Sequence, residues 1–236
     1  MARKAHVSRL AAPRTWPIKR KGIKWIRKPS QGPHDLQKAM PLLIYLRDIL
    51  QITKTTKETK QVLSNELVKV NSKVIRKVDF PVGIFDTIQI PATDKYWRVT
   101  ITKKGKLAVI EIPKSEANLL PVKIVSKKTL NKNKTQLNFS NGWNLLDDKK
   151  YKVNDVLILD TEKNSVAKHI KLEKGNLVYV TGGKHTGHSA KLKNIKELGK
   201  LKRERIAVLE SGKETWQTNL NHVFAIGEDK SEIKIE

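Results

Sequence analysis

The residues best suited by type and spacing to chemistry are a glycine-rich run, Gly182-Gly183-Lys184-His185-Thr186-Gly187, and six histidines. Glycines that let backbone N–H groups converge can cradle phosphate, so nucleotide chemistry is tested first. A P-loop requires Gly-x-x-x-x-Gly-Lys-Ser/Thr, with the hydroxyl on magnesium. Here His185 follows Gly183-Lys184, and no glycine stands at the required distance before Gly183. A dinucleotide fingerprint must open a helix, whereas Leu177–Val180 and Ala190-Lys191-Leu192 on either side read as strands. Of His6, His34, His169, His185, His188 and His222, only His185 and His188 are close in sequence. A pair flanked by lysines in a glycine loop reads as an RNA contact or a surface feature rather than a metal site. The chain has no cysteine, which excludes disulfides and thiolate metal ligands. No catalytic residue, no metal site, no cofactor and no small-molecule substrate is therefore assigned.

The chemistry that remains is electrostatic. Lys and Arg number 48 against 23 Asp and Glu, a formal net charge of +25. Lysine dominates, and its compact charge suits phosphate contact and shape recognition more than bidentate base reading. The first forty residues concentrate the effect: Arg3, Lys4, Arg9, Arg14, Lys19, Arg20, Lys21, Lys24, Arg27, Lys28 and Lys38 are opposed by Asp35 alone. With no helical or strand period, residues 1–40 are expected to be an extended basic arm that a polyanion orders. Nucleic acid fits, because counterion release rewards such an arm. Trp16 and Trp25 are expected to stack on bases or fill gaps between RNA helices. Pro13, Pro17 and Gly22 break any amphipathic helix, which argues against a transit peptide or a membrane-surface helix. The longest apolar run, Met40 to Leu46, includes Pro41 and is too short for a membrane span.

These basic residues need elements to position them. Leu42, Leu43, Leu46, Ile49 and Leu50 recur at helical spacing after Pro41, giving a short amphipathic helix. Thr55-Thr56-Lys57-Glu58 has the form of a capping box and predicts a second helix to about Ser64. Val68–Val70 and Lys73–Ile75 around Asn71-Ser72 predict a hairpin, with another strand at Thr87–Ile90. From Tyr96 the period becomes two: Trp97–Ile101, Leu107–Ile110, Val122–Val125 and Val156–Leu159 read as strands, with turns at Gly105 and Asn141-Gly142 and a polar stretch at Asn131–Lys134. After Gly175, strands at Leu177–Val180, Ala190–Leu192, Arg205–Leu209 and Val223–Ile226 suffice for a small β-barrel. Glu228, Asp229, Glu232 and Glu236 against Lys230 and Lys234 make the last residues acidic, so this end is expected to face away from whatever the basic surface binds.

Lys174 to Leu192, through Val178, Val180, Gly183 and Gly187, resembles the KOW motif of ribosomal and transcription-elongation proteins. That resemblance implies an SH3-like barrel whose loop, with Gly183, Lys184, His185 and Lys191, lies beside RNA. Residues 42 to about 90 resemble the alpha-L type of RNA-binding domain, on Thr56-Lys57-Glu58 and Leu67–Val74; family members commonly carry glycine where Ser72 stands, so a looser turn is expected. Arg47, Lys54, Lys57 and Lys60 would then face an RNA groove. In this order, and with Leu10-Ala11-Ala12-Pro13, Ser30-Gln31-Gly32-Pro33-His34 and Pro41-Leu42-Leu43, the whole chain resembles the archaeal/eukaryotic-type small-ribosomal-subunit protein four family. The resemblance implies an α+β, β-dominated multidomain protein: an arm at 1–40, an alpha-L domain at 41–95, a β-rich central domain at 96–172, a KOW barrel at 173–227 and an acidic tail at 228–236. It implies a structural, non-enzymatic component of the cytoplasmic small ribosomal subunit, whose partners are small-subunit rRNA and neighbouring ribosomal proteins. A KOW-containing transcription or RNA-processing factor that binds RNA transiently is the alternative.

Overall fold

The computed structural model describes residues 5–130, 134–147, 149–198, 204–212, 214–228 and 230–235. Arg3 and Lys4, the stretch from Asn131 to Asn133, and Asp229 and Glu236 lie outside the described residues. The chain is dominated by antiparallel strands and divides into two compact units, one of residues 1–100 and 106–120, the other of 101–105 and 121–235. Among the described residues, no helix is long and apolar enough to cross a membrane.

In the first unit β1 (His6–Ser8) pairs with β2 (Trp25–Arg27), and β3 (Ala39–Pro41) leads into a helical segment. That segment is a single α-turn at Leu42–Ile44 followed by a π-helical turn at Tyr45–Ile49, where Leu50 N–H donates to the Tyr45 carbonyl at 2.8 Å. Helix α1 (Thr56–Ser64) carries the expected capping box: Thr55 Oγ1 accepts from Glu58 N–H at 3.2 Å, and Glu58 Oε2 accepts from Lys54 N–H at 2.8 Å. The hairpin of β4 (Lys69–Val70) and β5 (Lys73–Val74) turns through Asn71 and Ser72 at φ 49° and 64°. Both turn residues thus take the left-handed conformation that a tight hairpin demands, and the expected looser turn does not occur. The Ser72 hydroxyl to Asn118 Oδ1 hydrogen bond, 2.9 Å, helps hold it.

Strand β6 (Pro81–Gly83) pairs with β3, and β7 (Thr87–Ile90), β8 (Lys95–Ile101) and β9 (Leu107–Glu111) complete a sheet in the order β5-β4-β7-β8-β9. The boundary expected at residue 95 is therefore corrected: β8 and β9 belong to the same sheet as the hairpin, because the apolar face of Trp97, Val99 and Leu107 closes the core that Leu42, Leu46 and Leu63 begin. Arg98 in β8 is fully buried, and its guanidinium is paired with Glu116 at 2.9 Å and with the Glu116 and Leu119 carbonyls.

The free arm is also corrected. Ala12, Trp16 and Ile26 lie in the same core as Leu42–Leu46, and Leu107 N–H donates to the Thr15 carbonyl at 2.8 Å. His34, 7 % exposed at its side chain, lies 2.8 Å from Asp86 and locks the following segment down. Charge and missing periodicity concealed this, since apolar anchors at irregular spacing still bury area once they meet a preformed core.

The second unit holds two five-stranded antiparallel sheets. One, in the order β12-β11-β10-β13-β14, is built from β10 (Leu119–Thr129), β11 (Thr135–Phe139), β12 (Asn144–Leu146), β13 (Val156–Asp160) and β14 (Ser165–Ile170). The other, β18-β17-β16-β15-β19, comprises β15 (Leu177–Val180), β16 (Ser189–Leu198), β17 (Glu204–Ser211), β18 (Glu214–Asn219) and β19 (Val223–Gly227). Buried Lys123 ties them together, donating from β10 to the Leu220 and Val223 carbonyls at 2.7 and 2.9 Å. The acidic end is no free tail: Ile233 and Ile235 are 1 % and 5 % exposed, and Lys168 pairs with Glu232 at 2.6 Å.

Candidate nucleic-acid interface

In the first unit the docked N-terminal hairpin and the helical segment enclose a groove of about 620 Å³. Arg9 and Arg27 reach it from the N-terminal side, Arg47 from the π-helical turn, Lys54 from the residue before the cap of α1, and Lys60 from the first half of α1; His6 and Trp25 also line it, and among the described residues Asp48 is the one carboxylate that does. An adjoining groove of about 640 Å³ shares Arg9, Arg47, Asp48 and Lys54 and adds Lys19. The capped start of α1, with Thr55 and Thr56 on the groove wall, contributes the positive end of its dipole. The Lys54 N–H holds the Glu58 carboxyl below the ordinary range and ties it back to the cap, so Glu58 is a carboxylate that offsets part of that dipole. Five cations facing one acid make a concave surface suited to a phosphate backbone.

In the second unit the glycine loop joins β15 to β16. Gly183 and Gly187 have φ 90° and 76°, the left-handed conformation expected of them. Gly187 is the more constrained, since a Cβ there would stand 2.5 Å from the Thr102 carbonyl group. The loop is tied by the Thr186 hydroxyl to the Gly183 carbonyl at 2.6 Å and by Gly187 N–H to the Val180 carbonyl at 2.8 Å. Lys184 and Lys191 are exposed. His185 lies flat against Trp216, ring centroids 4.5 Å apart and planes 10° apart.

The remaining sequence-assigned residues separate by what their side chains do. Trp16 is 1 % exposed and its indole N–H donates to the Ala39 carbonyl at 2.9 Å, so it is a core anchor and cannot stack on a base. Arg20 donates to the carbonyls of Arg9, Ala12 and Pro13 at 2.6–2.7 Å, clasping the backbone of the N-terminal segment. Arg27 faces Asp79 at 3.5 Å, and Arg47 is forked onto Asp48 at 2.7 and 2.9 Å. Trp25 is 55 % exposed with Lys24 Nζ 5.3 Å from its ring centre, and Lys28 lies beside it. Arg14, Lys21 and Lys57 are exposed and line neither groove. Two residues beside these features were not singled out by the sequence: His6, which lines the first groove, and Trp216, which stacks on His185. A tryptophan in a strand of otherwise polar residues was the available signal for the second.

The profile described as "Ribosomal family S4e" matches residues 93–166, and that of the "RS4NT (NUC023) domain" matches residues 1–37. The small ribosomal subunit protein eS4 of Methanothermobacter thermautotrophicus is 36 % identical over 236 residues, covering 100 % of this chain and 97 % of that one. The chain belongs to the S4e family of ribosomal proteins. The small ribosomal subunit protein eS4 of Methanocella arvoryzae is 37 % identical over 229 residues, 97 % of each chain. The fold agrees: the crystal structure of the 30S ribosomal protein S4e from Thermoplasma acidophilum matches with a TM-score of 0.70 and 29 % identity, covering 84 % of this chain and 99 % of that one. Within this S4e chain the N-terminal match coincides with the segment that supplies Arg9, Lys19 and Arg27 to the grooves.

Proposed function

We propose that this S4e chain is a structural, non-catalytic constituent of the cytoplasmic small ribosomal subunit, holding folded rRNA by phosphate and shape contacts beside neighbouring ribosomal proteins. The observation that carries the reading is the groove of the first unit, where Arg9, Arg27, Arg47, Lys54 and Lys60 converge from separate elements. Exposed Arg14, Lys19, Lys21, Lys24, Lys28 and Lys57 extend the positive field around it. The helical segment, α1 and the β4–β5 hairpin support the alpha-L reading, now with β7–β9 in the same sheet. The β15, glycine loop and β16 unit supports the KOW reading, with Gly183, Lys184, His185 and Lys191 at its RNA-facing end. Family membership favours the ribosomal role over a transiently binding transcription factor.

Salt-dependent binding to small-subunit rRNA tests this. Replacing both Lys54 and Lys60 by alanine should flatten the log–log dependence on salt by roughly 0.7 to 0.9 per lost phosphate contact. An unchanged slope in a folded double variant would remove the groove from the interface.

A further inference from the structure

The pairing of His185 with Trp216 has a geometry that the fold does not need. Both rings are only partly buried, so their contact adds little apolar burial to the core. Yet each ring is held. Trp216 sits in β18 opposite Leu209 of β17, and its indole N–H donates to Glu214 Oε2 at 3.0 Å, which fixes the ring's rotation. His185 is presented by the tied loop described above. His188 tightens it further: its Nδ1 lies 3.3 Å from the His185 carbonyl and 3.2 Å from the Thr186 carbonyl. Carbonyls only accept, so this nitrogen carries the proton. His188 also meets Trp216 edge-on, with ring centroids 5.4 Å apart and planes 74° apart. Trp216 and His188 are thus held by hydrogen bonds, and His185 by the tied loop backbone and its contact with Trp216.

What is left open is equally specific. Among the described residues neither ring nitrogen of His185 has a hydrogen-bond partner. Lys184, next in the chain, is exposed and carries a positive charge. A flat ring with unpaired nitrogens, beside a cation, matches an unpaired nucleobase with its phosphate: the base extends the ring stack, the nitrogens meet its edge or a ribose hydroxyl, and the ammonium takes the phosphate. Prior ordering of the loop lowers the entropy lost on binding.

We propose that the His185–Trp216 pair is a stacking platform for a single unpaired base of RNA, bulged or looped out of a helix. This rests on the RNA-binding reading above and adds to it a preference for unstacked bases, which phosphate contact alone does not supply. Glu214 limits the platform to one nucleotide, because its carboxylate repels a phosphate on that side.

The test uses the full chain and two RNA hairpins, one with a single bulged 2-aminopurine and one with that base paired. The wild type should bind the bulged hairpin about tenfold more tightly and quench its fluorescence, as expected of one stacked base. His185→Ala should lose the quenching and bind the bulged hairpin no more tightly than the paired one. His185→Phe, which keeps the flat face, should keep most of both. Equal affinity of the wild type for the two hairpins, or an unchanged preference in His185→Ala, overturns the platform and leaves the RNA-binding reading standing. No binding to either hairpin overturns both.

Discussion

Two glycines in one loop carry different burdens. Both take positive φ, but a Cβ at Gly183 would meet only Thr218 and His222 side-chain atoms at 3.7 and 3.9 Å, ordinary contacts. At Gly187 it would collide with the Thr102–Lys103 backbone, which cannot swing away as a side chain can. Gly183→Ala should therefore cost about 1–2 kcal/mol of left-handed strain, and Gly187→Ala distinctly more. Thermal melts of the two variants decide it, and equal losses would contradict the close approach. His34 gives a second residue-scale expectation. Burial alone would lower its pKa, but the charge of Asp86 and the hydrogen bond to it outweigh burial, and the net shift is upward, with Lys38 and Asp35 acting in opposite senses. A raised folded-state pKa means stability that is full below the ordinary value near 6.5 and is lost as pH rises through the raised one. His34→Gln should consequently destabilise the protein more at about pH 6 than at about pH 9. The same loss at both would show that the charge contributes nothing.

At the scale of elements, the N-terminal segment is held by an apolar anchor and a polar clasp. Trp16→Ala removes a buried side chain and should cost about 3–5 kcal/mol; Arg20→Ala removes the donor to three carbonyls with little change in core volume. Limited chymotrypsin digestion should cut both variants within the first forty residues while wild type resists, and resistance in both would contradict the docking. The C-terminal segment is likewise packed, so ending the chain at Gly227 should cost about 1.5–3 kcal/mol for the lost burial of each of Ile233 and Ile235, without weakening RNA binding. What was legible in the sequence were elements whose signal is local: the capping box of α1, the turn at Asn71-Ser72, the strand and glycine loop from Leu177. What was not legible depended on distant partners. Trp16 and Ile26 follow no period, so nothing local says that they share a core with Leu42. Strands β14 and β18 lie at sheet edges with half or more of their side chains exposed, and their sequences show no apolar–polar alternation to read. The basic groove was half legible: Arg47, Lys54 and Lys60 follow from their helical neighbourhood, while Arg9 and Arg27 reach it only because the N-terminal segment folds back.

For the whole molecule, a charge of +25 is a statement about company. Self-repulsion of that size opposes compactness and promotes indiscriminate binding to polyanions unless the charge is neutralised, which the proposed assembly on rRNA would do permanently. The grooves of the first unit and the loop of the second both present cations, as the proposed cementing role requires. The central claim is this permanent residence, and sedimentation of cell extract through a sucrose gradient tests it most directly. The chain should follow the small subunit in constant proportion to its rRNA, at moderate salt and in every fraction that contains small subunits; a chain found chiefly at the top of the gradient, or bound in variable and substoichiometric amounts, would contradict the account.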